Sequence, residues 1–395
     1  MPLRIAHVAN EAFGLDTANG VQHMVYCLAQ AQADTDTSVA VFTRDDHAVH
    51  FFGGGREATS RRLQATPLGS VNSLRQRLLS RYFEKDVADD VAAWQPDIVH
   101  FHSVHVPQNV ALAAHLSRTG IPYCVTVHGA LFPAALRRRR VKKSIFKLLF
   151  ERRYLNEARF IQALSPQEAE VIRRYGVARP VVVVPNGLPP GANLPAERPD
   201  ALYAERPWLR GRLVFMFIGR LEHWQKGLDL LLEAFAQAEL REATLVLVGP
   251  DCRGSRRVLT ALAKRLGISS DVVFMESAFG QDRANLFAAA NVFVHPSRWE
   301  GLSLSVLAAA ATGKACLITR EADPLGELER ARAAIVVEAN VSSIAEGLRR
   351  AAALRHDDLR AMGARARSVV EDNFSWPSIA GTLVEAYRRA LTKAG

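Results

Sequence analysis

The segment at residues 294–313, VHPSRWEGLSLSVLAAAATG, decides the fold. The apolar residues 292–294 predict a buried strand, residues 295–297 interrupt it, and small residues from about Ser303 predict a helix. In open α/β sheets, such a strand, loop and helix place ligands at the carboxyl end of the strand, beside the helix amino terminus. Glu300 is the acidic residue of this loop. At this point two interpretations are open: Glu300 stabilises the helix dipole, or it binds a ligand.

The composition is that of an ordinary soluble globular protein. The chain has 395 residues, 49% of them hydrophobic, which is enough for two or three domains as a first estimate. It contains no apolar run approaching the roughly 18 residues that cross a bilayer. The first residues, MPLRIAHVAN, lack the basic start and long apolar region of a signal peptide. We therefore expect a cytoplasmic protein.

The four cysteines are far apart in the sequence and include no CxxC pair. They are Cys27, Cys124, Cys252 and Cys316. This spacing predicts neither a zinc site nor a disulfide framework. We interpret all four as buried thiols in a reducing compartment.

The net charge of +10 is concentrated in the first half of the chain, where the run RRRRVKK begins at Arg137. Such a patch favours an anionic partner. Apolar residues interleaved between Arg137 and Arg153 predict an amphipathic helix with a cationic rim, suited to an anionic membrane surface. A solvated helix with its apolar side on the core is the alternative. No segment resembles a nucleic-acid-binding motif, so we expect no nucleic-acid partner.

Apolar strands and helical patterns alternate along the chain and then begin again. The first series of predicted strands covers residues 4–9, 39–42, 98–102, 123–127, 160–163 and 181–184, and the second covers 213–218, 244–248, 272–275, 292–294, 315–319 and 334–337. This alternation implies parallel sheets covered on both faces, so the fold class is α/β with two tandem Rossmann-like domains. Residues 188–212 lack clear periodicity and predict a linker. Residues 376–394 predict a helix without a following strand.

Two cations follow the first predicted strand of the second series. Arg220 comes directly after Gly219 at the strand end, and Lys226 precedes a helix. A guanidinium and an ammonium beside a helix amino terminus suit a diphosphate, although a surface Arg and Lys in a loop would look the same. Glu300 adds an acceptor for sugar hydroxyls. Together these residues describe a site for a sugar joined to a diphosphate.

The chain resembles the retaining glycosyltransferases of family 4. The matching motifs are Asn19-Gly20, Val127-His128-Gly129, VPNG at 184–187, GRL at 219–221 with KGLD at 226–229, LVGP at 247–250 and HPSRWEGL at 295–302. The resemblance implies the GT-B fold, with two domains facing each other across a cleft. Residues 1–190 would hold the acceptor and residues 191–375 the nucleotide-sugar donor. Residues 376–395 would form a helix packing back on the first domain.

The resemblance also implies roles for individual residues. Arg220 and Lys226 would bind the donor diphosphate and stabilise its departure, Glu300 would contact the donor sugar, and His128 would lie near the anomeric carbon. The other residues expected at the donor are Gly20, Gly219, Gly249, Gly301, Leu302 and Ser303. Asn19 and His102 would join His128 on the acceptor side. We expect no metal, no cofactor and no protein nucleophile.

Two positions depart from the family pattern. Ala308 stands where a second carboxylate usually binds the nucleotide ribose, and Glu276 stands where a glycine is usual and would narrow a loop near the base. These departures keep a second hypothesis open, namely a partner-dependent or non-catalytic subunit of the same fold. The first hypothesis is sugar transfer with retention to a glycan or lipid-linked hydroxyl acceptor, in bacterial cell-surface assembly at the inner face of the membrane.

His100, His102 and His105 form a cluster in the sequence. His100 and His102 would share one face of a strand, which is a possible arrangement for a pair of metal ligands. Lining of the acceptor cleft and simple packing are the other two interpretations.

Overall fold

The chain folds into two compact units. The structure, a computed structural model, describes residues 2–9, 20–43, 48–53, 56–62, 85–137, 145–188, 196 and 200–392. One unit comprises Met1–Gly187 with Trp376–Gly395, and the other comprises Leu188–Ser375. Each unit carries a sheet of mainly parallel strands with helices, so the α/β class with two Rossmann-like domains is confirmed.

Among the described residues, the first unit contains an eight-stranded sheet in the order β4-β3-β2-β1-β5-β6-β7-β8. The strands are β1 Leu3–Ala9, β2 Thr37–Thr43, β3 Ala48–Gly53, β4 Arg56–Arg62, β5 Ile98–His102, β6 Tyr123–Thr126, β7 Ile161–Ala163 and β8 Val181–Val183. The neighbouring pairs in the part β2-β1-β5-β6-β7-β8 of this order are all parallel. Parallel strands are covered on both faces, which is why β5, IVHFH, is buried along its whole length.

One edge of this sheet is antiparallel. β3 pairs antiparallel with β2, and β4 pairs antiparallel with β3, with an irregular register between Phe51 and Phe52. Strands close in sequence pair antiparallel readily, because parallel pairing needs a long crossover connection. The prediction of a wholly parallel sheet was therefore wrong at this edge.

The helices of the first unit cover its sheet. They are α1 Gly20–Ala33, α2 Lys85–Trp94, α3 Pro107–Thr119, α4 Pro133–Arg137, α5 Arg152–Glu157 and α6 Pro166–Arg174. A π-helical turn, Lys147–Glu151, leads into α5. Ser165 caps α6, because its hydroxyl accepts from the amide of Glu168 at 3.1 Å.

The amphipathic helix predicted between Arg137 and Arg153 lies only partly within the described residues. α4 ends at Arg137, residues 138–144 are outside the described part, and the chain continues through Lys147–Glu151 into α5. Phe146 and Phe150 pack against the core. Ile145, Leu148 and Leu149 are instead 54%, 72% and 45% exposed. This segment therefore has apolar side chains on both its inner and outer sides.

The described strands of the second unit form a six-stranded parallel sheet in the order β11-β10-β9-β12-β13-β14. These strands are β9 Leu213–Ile218, β10 Ala243–Val248, β11 Val272–Met275, β12 Val292–His295, β13 Ala315–Thr319 and β14 Ala334–Val337. The helices are α7 Ala201–Glu205, α8 Leu228–Ala238, α9 Ser255–Arg265, α10 Gly280–Ala289, α11 Leu304–Ala311, α12 Glu327–Arg330, α13 Val341–Ala353 and α14 His356–Asn373.

The segment interpreted as a linker contains secondary structure. Within residues 188–212, α7 is followed by a 3-10 turn, Pro207–Leu209. Leu202 and Leu209 are buried in the core of the second unit. The linker interpretation was therefore wrong for residues 201–209, because two leucines in a short helical segment are enough to anchor it without visible periodicity.

The segments by which the chain enters and leaves the second unit lie next to each other. The amide of Leu188 donates to the carbonyl of Phe374 at 2.9 Å, and the next helix, α15 Trp376–Thr392, returns to the first unit. Its residues Leu383 and Val384 pack in one core cluster with Val25 and Leu28 of α1. The helix predicted to cross back to the first domain is thus confirmed.

Two further expectations concern cysteines and membrane spans. All four cysteines are free thiols, and Cys252 is only half-buried, so the interpretation as buried thiols was wrong for that residue. No helix in the part of the chain that the structure describes is long and apolar enough to cross a membrane.

The contact between Gly187 and Trp376 gives a stability prediction. A Cβ atom on Gly187 would lie 2.5 Å from the Trp376 ring, whereas one on Gly381, in α15, would meet no atom within 4 Å. We expect Gly187→Ala to lower the free energy of unfolding by about 1 to 3 kcal/mol, because the ring cannot move without repacking. Gly381→Ala should raise it by about 0.5 to 1 kcal/mol. Urea unfolding of both variants measures this, and equal stabilities would contradict it.

Candidate functional site

The strand order of the second unit indicates where a ligand-binding crevice is expected. β9 lies between β10 and β12, so the chain runs outward on one side of β9 and then returns to its other side. At such a reversal the loops at the carboxyl ends of the two central strands diverge, and ligands bind there. The loops after β9 and β12 carry Arg220, Lys226 and Glu300. The structure therefore places three of the residues that the sequence singled out in these two loops, and it brings Lys226 into contact with Glu300.

The Glu300 carboxylate joins these two loops. Its Oε1 accepts from Lys226 Nζ at 2.6 Å, from Ser297 Oγ at 2.6 Å and from His295 Nε2 at 3.0 Å. The side chains of Lys226 and Glu300 are only 13% and 8% exposed. Although burial opposes ionisation, the Lys226 ammonium and His295 hold the pKa of Glu300 well below its usual range. Glu300 is therefore a buried, ionised group whose Oε1 is fully occupied.

Ser303, not Glu300, caps the helix that follows the loop. Ser303 is the N-cap of α11, and its hydroxyl accepts from the amide of Val306 at 3.4 Å. The same hydroxyl lies 3.0 Å from His295 Nε2. Gly301 and Leu302 are half-buried between Glu300 and this cap. The interpretation that Glu300 serves only the helix dipole is not supported, because its carboxylate is directed to Lys226 and His295.

A second ion pair fixes the same two loops. The Arg298 guanidinium contacts Asp229 of α8 in a bidentate arrangement, at 2.7 and 2.9 Å. Arg298 also donates from its amide to the carbonyl of Gln225 at 2.9 Å and from its guanidinium to the carbonyl of Trp224 at 2.5 Å. Bidentate pairs fix geometry as well as charge. Arg298 and Asp229 therefore hold the loop of Lys226 against the loop of Glu300.

Two glycines of the motifs allow close backbone approach. Gly227 has φ 63°, and a Cβ there would lie 2.0 Å from the carbonyl oxygen of Pro296. Gly249 has φ 146°, and its Cβ would lie 1.9 Å from the carbonyl oxygen of Gly219. A side chain at either position would push apart the loops that carry the site.

The remaining donor-side residues differ in their surroundings. Arg220 is exposed after the end of β9. Glu276 is 79% exposed and pairs with Arg256, so its carboxylate is held at the surface. Ala308 is 1% exposed in α11 and packs in the apolar core. The chain thus supplies only a methyl group where the family pattern has a second carboxylate.

In the first unit, His128 lies in a constrained turn after β6. His128 has φ 50° and Gly129 has φ 75°, and a left-handed conformation is uncommon for a residue with a side chain. The buried Glu168 carboxylate holds this turn by accepting from the amides of Gly129 and of Leu164, the latter at 2.6 Å. Burial raises the pKa of Glu168 to about 7.

The candidate metal ligands form a hydrogen-bonded cluster that includes a histidine that sequence reasoning missed. His7, His100 and His102 are buried, and their nearest ring nitrogens lie within 4.8 Å of one another. His100 bonds to Tyr387 and Thr126, both at 2.6 Å. His7 bonds to Gln32 at 2.7 Å and His102 at 3.0 Å. The ring nitrogens of the cluster thus have polar partners, which favours packing over metal binding.

The other acceptor-side residues lie as follows. His102 is 1% exposed and sits behind His128, with its Nδ1 3.2 Å from His128 Nε2. His105 is separate from the cluster and lies 2.9 Å from Glu151. Asn19 lies outside the described residues, and Gly20 is the first residue of α1. A polar residue in an otherwise apolar strand, as in IAHVA of β1, was the signal that could have identified His7.

Comparison with known proteins identifies the family. Residues 18–191 match the model described as Glycosyltransferase Family 4, and residues 212–353 match the model described as Glycosyl transferases group 1. A D-inositol 3-phosphate glycosyltransferase of Streptomyces avermitilis is 30% identical over 413 aligned residues, covering 96% of this chain and 84% of the relative. The chain belongs to glycosyltransferase family 4.

Solved structures place this family 4 chain in the GT-B fold. Sucrose-phosphate synthase from Thermosynechococcus elongatus aligns with a TM-score of 0.77 at 20% identity, over 99% of this chain and 100% of that one. The Anabaena protein Alr3699/HepE, solved with UDP and glucose, aligns with a TM-score of 0.75 at 17% identity, over 98% and 100% of the two chains. The chain is therefore a glycosyltransferase with two Rossmann-like domains.

The ionised Glu300 gives a prediction about acid stability. The pKa of Glu300 is lowered from 4.5 in the folded chain, so its stabilising contribution is present above that value and is lost as the pH falls. Between pH 7 and pH 3.5 the parent should lose about 1 kcal/mol more free energy of unfolding than Glu300→Gln. Urea unfolding at both pH values measures the difference.

The matched control is Glu338→Gln, because Glu338 is a carboxylate of the same unit that is 56% exposed. Its pH dependence should follow that of the parent. A Glu300→Gln variant that also follows the parent would contradict the stabilising role of the ionised carboxylate.

Proposed function

We propose that this glycosyltransferase transfers a sugar from a nucleoside diphosphate sugar to a hydroxyl acceptor, with retention of configuration and without a metal ion. The observation that carries the proposal is the buried Lys226–Glu300 pair at the carboxyl ends of β9 and β12. One member of this pair suits a diphosphate and the other suits sugar hydroxyls. The pair lies beside the amino terminus of α11, which favours negative charge.

The cationic part of the site supports departure of a nucleoside diphosphate. An ammonium has three N–H donors, so Lys226 can donate to Glu300 and still bind phosphate oxygens. Arg220 is exposed at the end of β9 and offers a planar fork for phosphate. Fixed cations aimed at the leaving group stabilise the charge that develops there, which is the role a divalent metal ion would otherwise have.

The acidic part of the site supports binding of the sugar. Three donors contact Oε1 of Glu300, so we assign Oε2 to the sugar hydroxyls. We place the main chain of Gly301 to Ser303 beside the sugar and the phosphates, with Gly219 and Gly249 where the backbones approach closely. We assign Gly20 to the diphosphate as well. His128 is assigned to the acceptor side near the anomeric carbon.

The comparisons support a nucleotide-sugar donor. Alr3699/HepE has been solved with UDP and with UDP-glucose, and the curated relatives are named as D-inositol 3-phosphate glycosyltransferases. For this chain we propose a glycan or lipid-linked hydroxyl acceptor in bacterial cell-surface assembly, on the cytoplasmic side of the membrane. Asn19 completes the proposed acceptor side, and His102 supports it from behind His128.

Arg220→Ala is the cleanest test of the leaving-group role, because Arg220 is exposed and its loss should leave the fold intact. We expect the kcat for sugar transfer to fall by about 100-fold, the effect of removing one group aimed at developing charge, with an unchanged Tm. Steady-state assays over a panel of nucleotide sugars, with the product linkage determined by NMR, measure the rate and the configuration.

Arg241→Ala is the matched control. Arg241 is also exposed, but it lies just before β10, at the amino ends of the strands, so transfer should be unchanged. Equal activity of the two variants would contradict the assigned role of Arg220, and an inverted linkage in the product would contradict retention.

A second hypothesis is a partner-dependent subunit of the same fold. The observation that favours it is Ala308, whose methyl group lies in the core where a ribose-binding carboxylate is usual. A hydrogen bond to a charged group contributes about 1.5 to 3 kcal/mol, so its absence weakens nucleotide binding. Transfer by the purified chain alone would exclude this hypothesis, whereas transfer only after addition of a second protein would support it.

We also propose that the segment preceding α5 contacts an anionic lipid surface. Ile145, Leu148 and Leu149 are exposed in the first unit, and the basic run RRRRVKK comes directly before them in the sequence. Exposed apolar side chains beside basic residues are typical of segments that lie in the membrane interface. This arrangement would hold the enzyme where lipid-linked acceptors are found.

The lipid proposal predicts binding to vesicles that contain anionic phospholipid and weaker binding to neutral vesicles. Leu148→Ser combined with Leu149→Ser should weaken binding by about tenfold or more, since two exposed leucines no longer enter the interface. Val258→Ser is the control, because Val258 is 45% exposed in the second unit. Sedimentation with vesicles measures the effect, and equal binding of both variants would contradict the proposal.

A further inference from the structure

A continuous chain of hydrogen bonds runs through the first unit and ends at His128. It connects six strands and helices, namely β1, β5, β6, β7, α1 and α15. Its members are, in order, the Val184 carbonyl, Gln162, Thr126, His100, Tyr387, Gln32, His7, His102 and His128. The side chains from Gln162 to His102 in this series are buried. Each of these residues must therefore form a hydrogen bond with both of its neighbours in the series.

The direction of these hydrogen bonds is set at the first of them, between Val184 and Gln162. The Val184 carbonyl can only accept, so Gln162 donates to it from Nε2 at 2.8 Å. The amide orientation of Gln162 is thereby fixed with Oε1 toward Thr126. Thr126 donates its hydroxyl proton to that oxygen at 2.7 Å. The Thr126 oxygen is then left as an acceptor for the next residue.

The same rule carries the direction through the C-terminal helix. His100 Nε2 donates to Thr126 at 2.6 Å, so His100 Nδ1 must accept. Tyr387 of α15 donates its hydroxyl proton to that nitrogen at 2.6 Å. The Tyr387 oxygen in turn accepts from Gln32 Nε2 at 3.3 Å. Gln32 is therefore oriented with Oε1 toward His7.

The last three hydrogen bonds involve imidazole rings, and the final two of them join one ring to another. His7 Nε2 donates to Gln32 Oε1 at 2.7 Å, so His7 Nδ1 accepts from His102 Nε2 at 3.0 Å. His102 Nδ1 then accepts from His128 Nε2 at 3.2 Å. Reversing this direction would require a donor at the Val184 carbonyl, which has none.

The rings are neutral, as this sequence of donors and acceptors requires. Burial lowers the pKa of His7 to about 4 and that of His128 to about 3. Burial also lowers the pKa values of His100 and His102 well below their usual range. A neutral imidazole has one donor and one acceptor nitrogen, so fixing one nitrogen fixes the other.

We propose that this chain of hydrogen bonds holds His128 in the tautomer that carries its proton on Nε2, so that Nδ1 remains an acceptor for a substrate hydroxyl. The tautomer follows from the hydrogen bonds alone, whereas its use in transfer rests on the proposed function of His128. His7, His102, Thr126 and Tyr387 are then positioning residues, which act on the reaction through His128.

The chain of hydrogen bonds orients His128 but does not conduct protons. A proton passed from His128 through His102 would reach His7 and then the amide of Gln32, which does not transfer protons under ordinary conditions. The four histidines with lowered pKa values also do not hold a positive charge near neutral pH. The arrangement therefore provides a fixed acceptor rather than a route to solvent.

Imidazole 15N NMR of the full chain tests the tautomer directly, because protonated and unprotonated ring nitrogens have distinct chemical shifts. His128→Gln assigns the signals of His128 by their loss. In the parent we expect Nε2 protonated and Nδ1 unprotonated. Thr126→Val and Tyr387→Phe interrupt the chain and should give a mixture of tautomers at His128, whereas Thr126→Ser keeps the hydroxyl and should restore the parent spectrum.

Tyr123→Phe is the matched control for loss of a buried phenol hydroxyl. Tyr123 lies in the same unit and donates to the carbonyl of Tyr154 at 2.7 Å, outside the chain of hydrogen bonds. Its His128 signals should equal those of the parent. A parent spectrum with Nδ1 protonated, or unchanged tautomers in both Thr126→Val and Tyr387→Phe, would overturn the proposal.

Transfer assays on the same variants separate this proposal from the proposed function. Thr126→Val should lower kcat by about tenfold, the effect of one lost hydrogen bond, with the KM for donor unchanged and with rescue in Thr126→Ser. Altered tautomers without any change in transfer would retain the positioning of His128 but exclude its role in the reaction. Loss of activity with parent-like tautomers would show a general defect and overturn the proposed positioning.

Discussion

The Glu300 carboxylate is the contact that joins the two loops of the candidate site in the second unit. One oxygen accepts from Lys226 of the loop after β9 and from Ser297 and His295 at the end of β12. Removing one partner of a buried pair leaves an uncompensated charge, which is strongly destabilising. The separate Arg298–Asp229 pair keeps the loops in place around it. The groups assigned to the donor are thus also the groups that stabilise their own loops.

The two units organise their polar residues by different physical means. The second unit concentrates charge in ion pairs and a helix amino terminus, which suits a ligand with an anionic diphosphate. The hydrogen-bond chain that ends at His128 in the first unit instead uses neutral groups, because burial lowers the pKa values of His7 and His128 and keeps the rings uncharged. Neutral hydrogen bonds can specify direction without the cost of buried charge, which suits an uncharged hydroxyl.

Most strands, and with them the positions of the loops after β9 and β12, could be predicted from the sequence because both faces of a parallel sheet are buried. The apolar runs of β9, β12 and β13 are unambiguous for this reason. The antiparallel β3 and β4 were missed because edge strands have a weaker pattern. Arg298–Asp229 and the contacts of Tyr387 were missed because they join residues distant in sequence, and no local periodicity reports such pairs. The family resemblance supplied His128, but its neighbours appear only in three dimensions.

The return of α15 to the first unit has a consequence for the order of folding during synthesis. The second unit is one continuous segment and can fold as soon as it leaves the ribosome, since domains generally fold as units during synthesis. The first unit is discontinuous: until α15 has been made, the apolar side of α1 stays exposed and Gln32 has no phenol oxygen to contact. A nascent chain therefore carries a finished second unit before its first unit is complete, and unfinished chains expose the apolar surface that cellular quality control recognises.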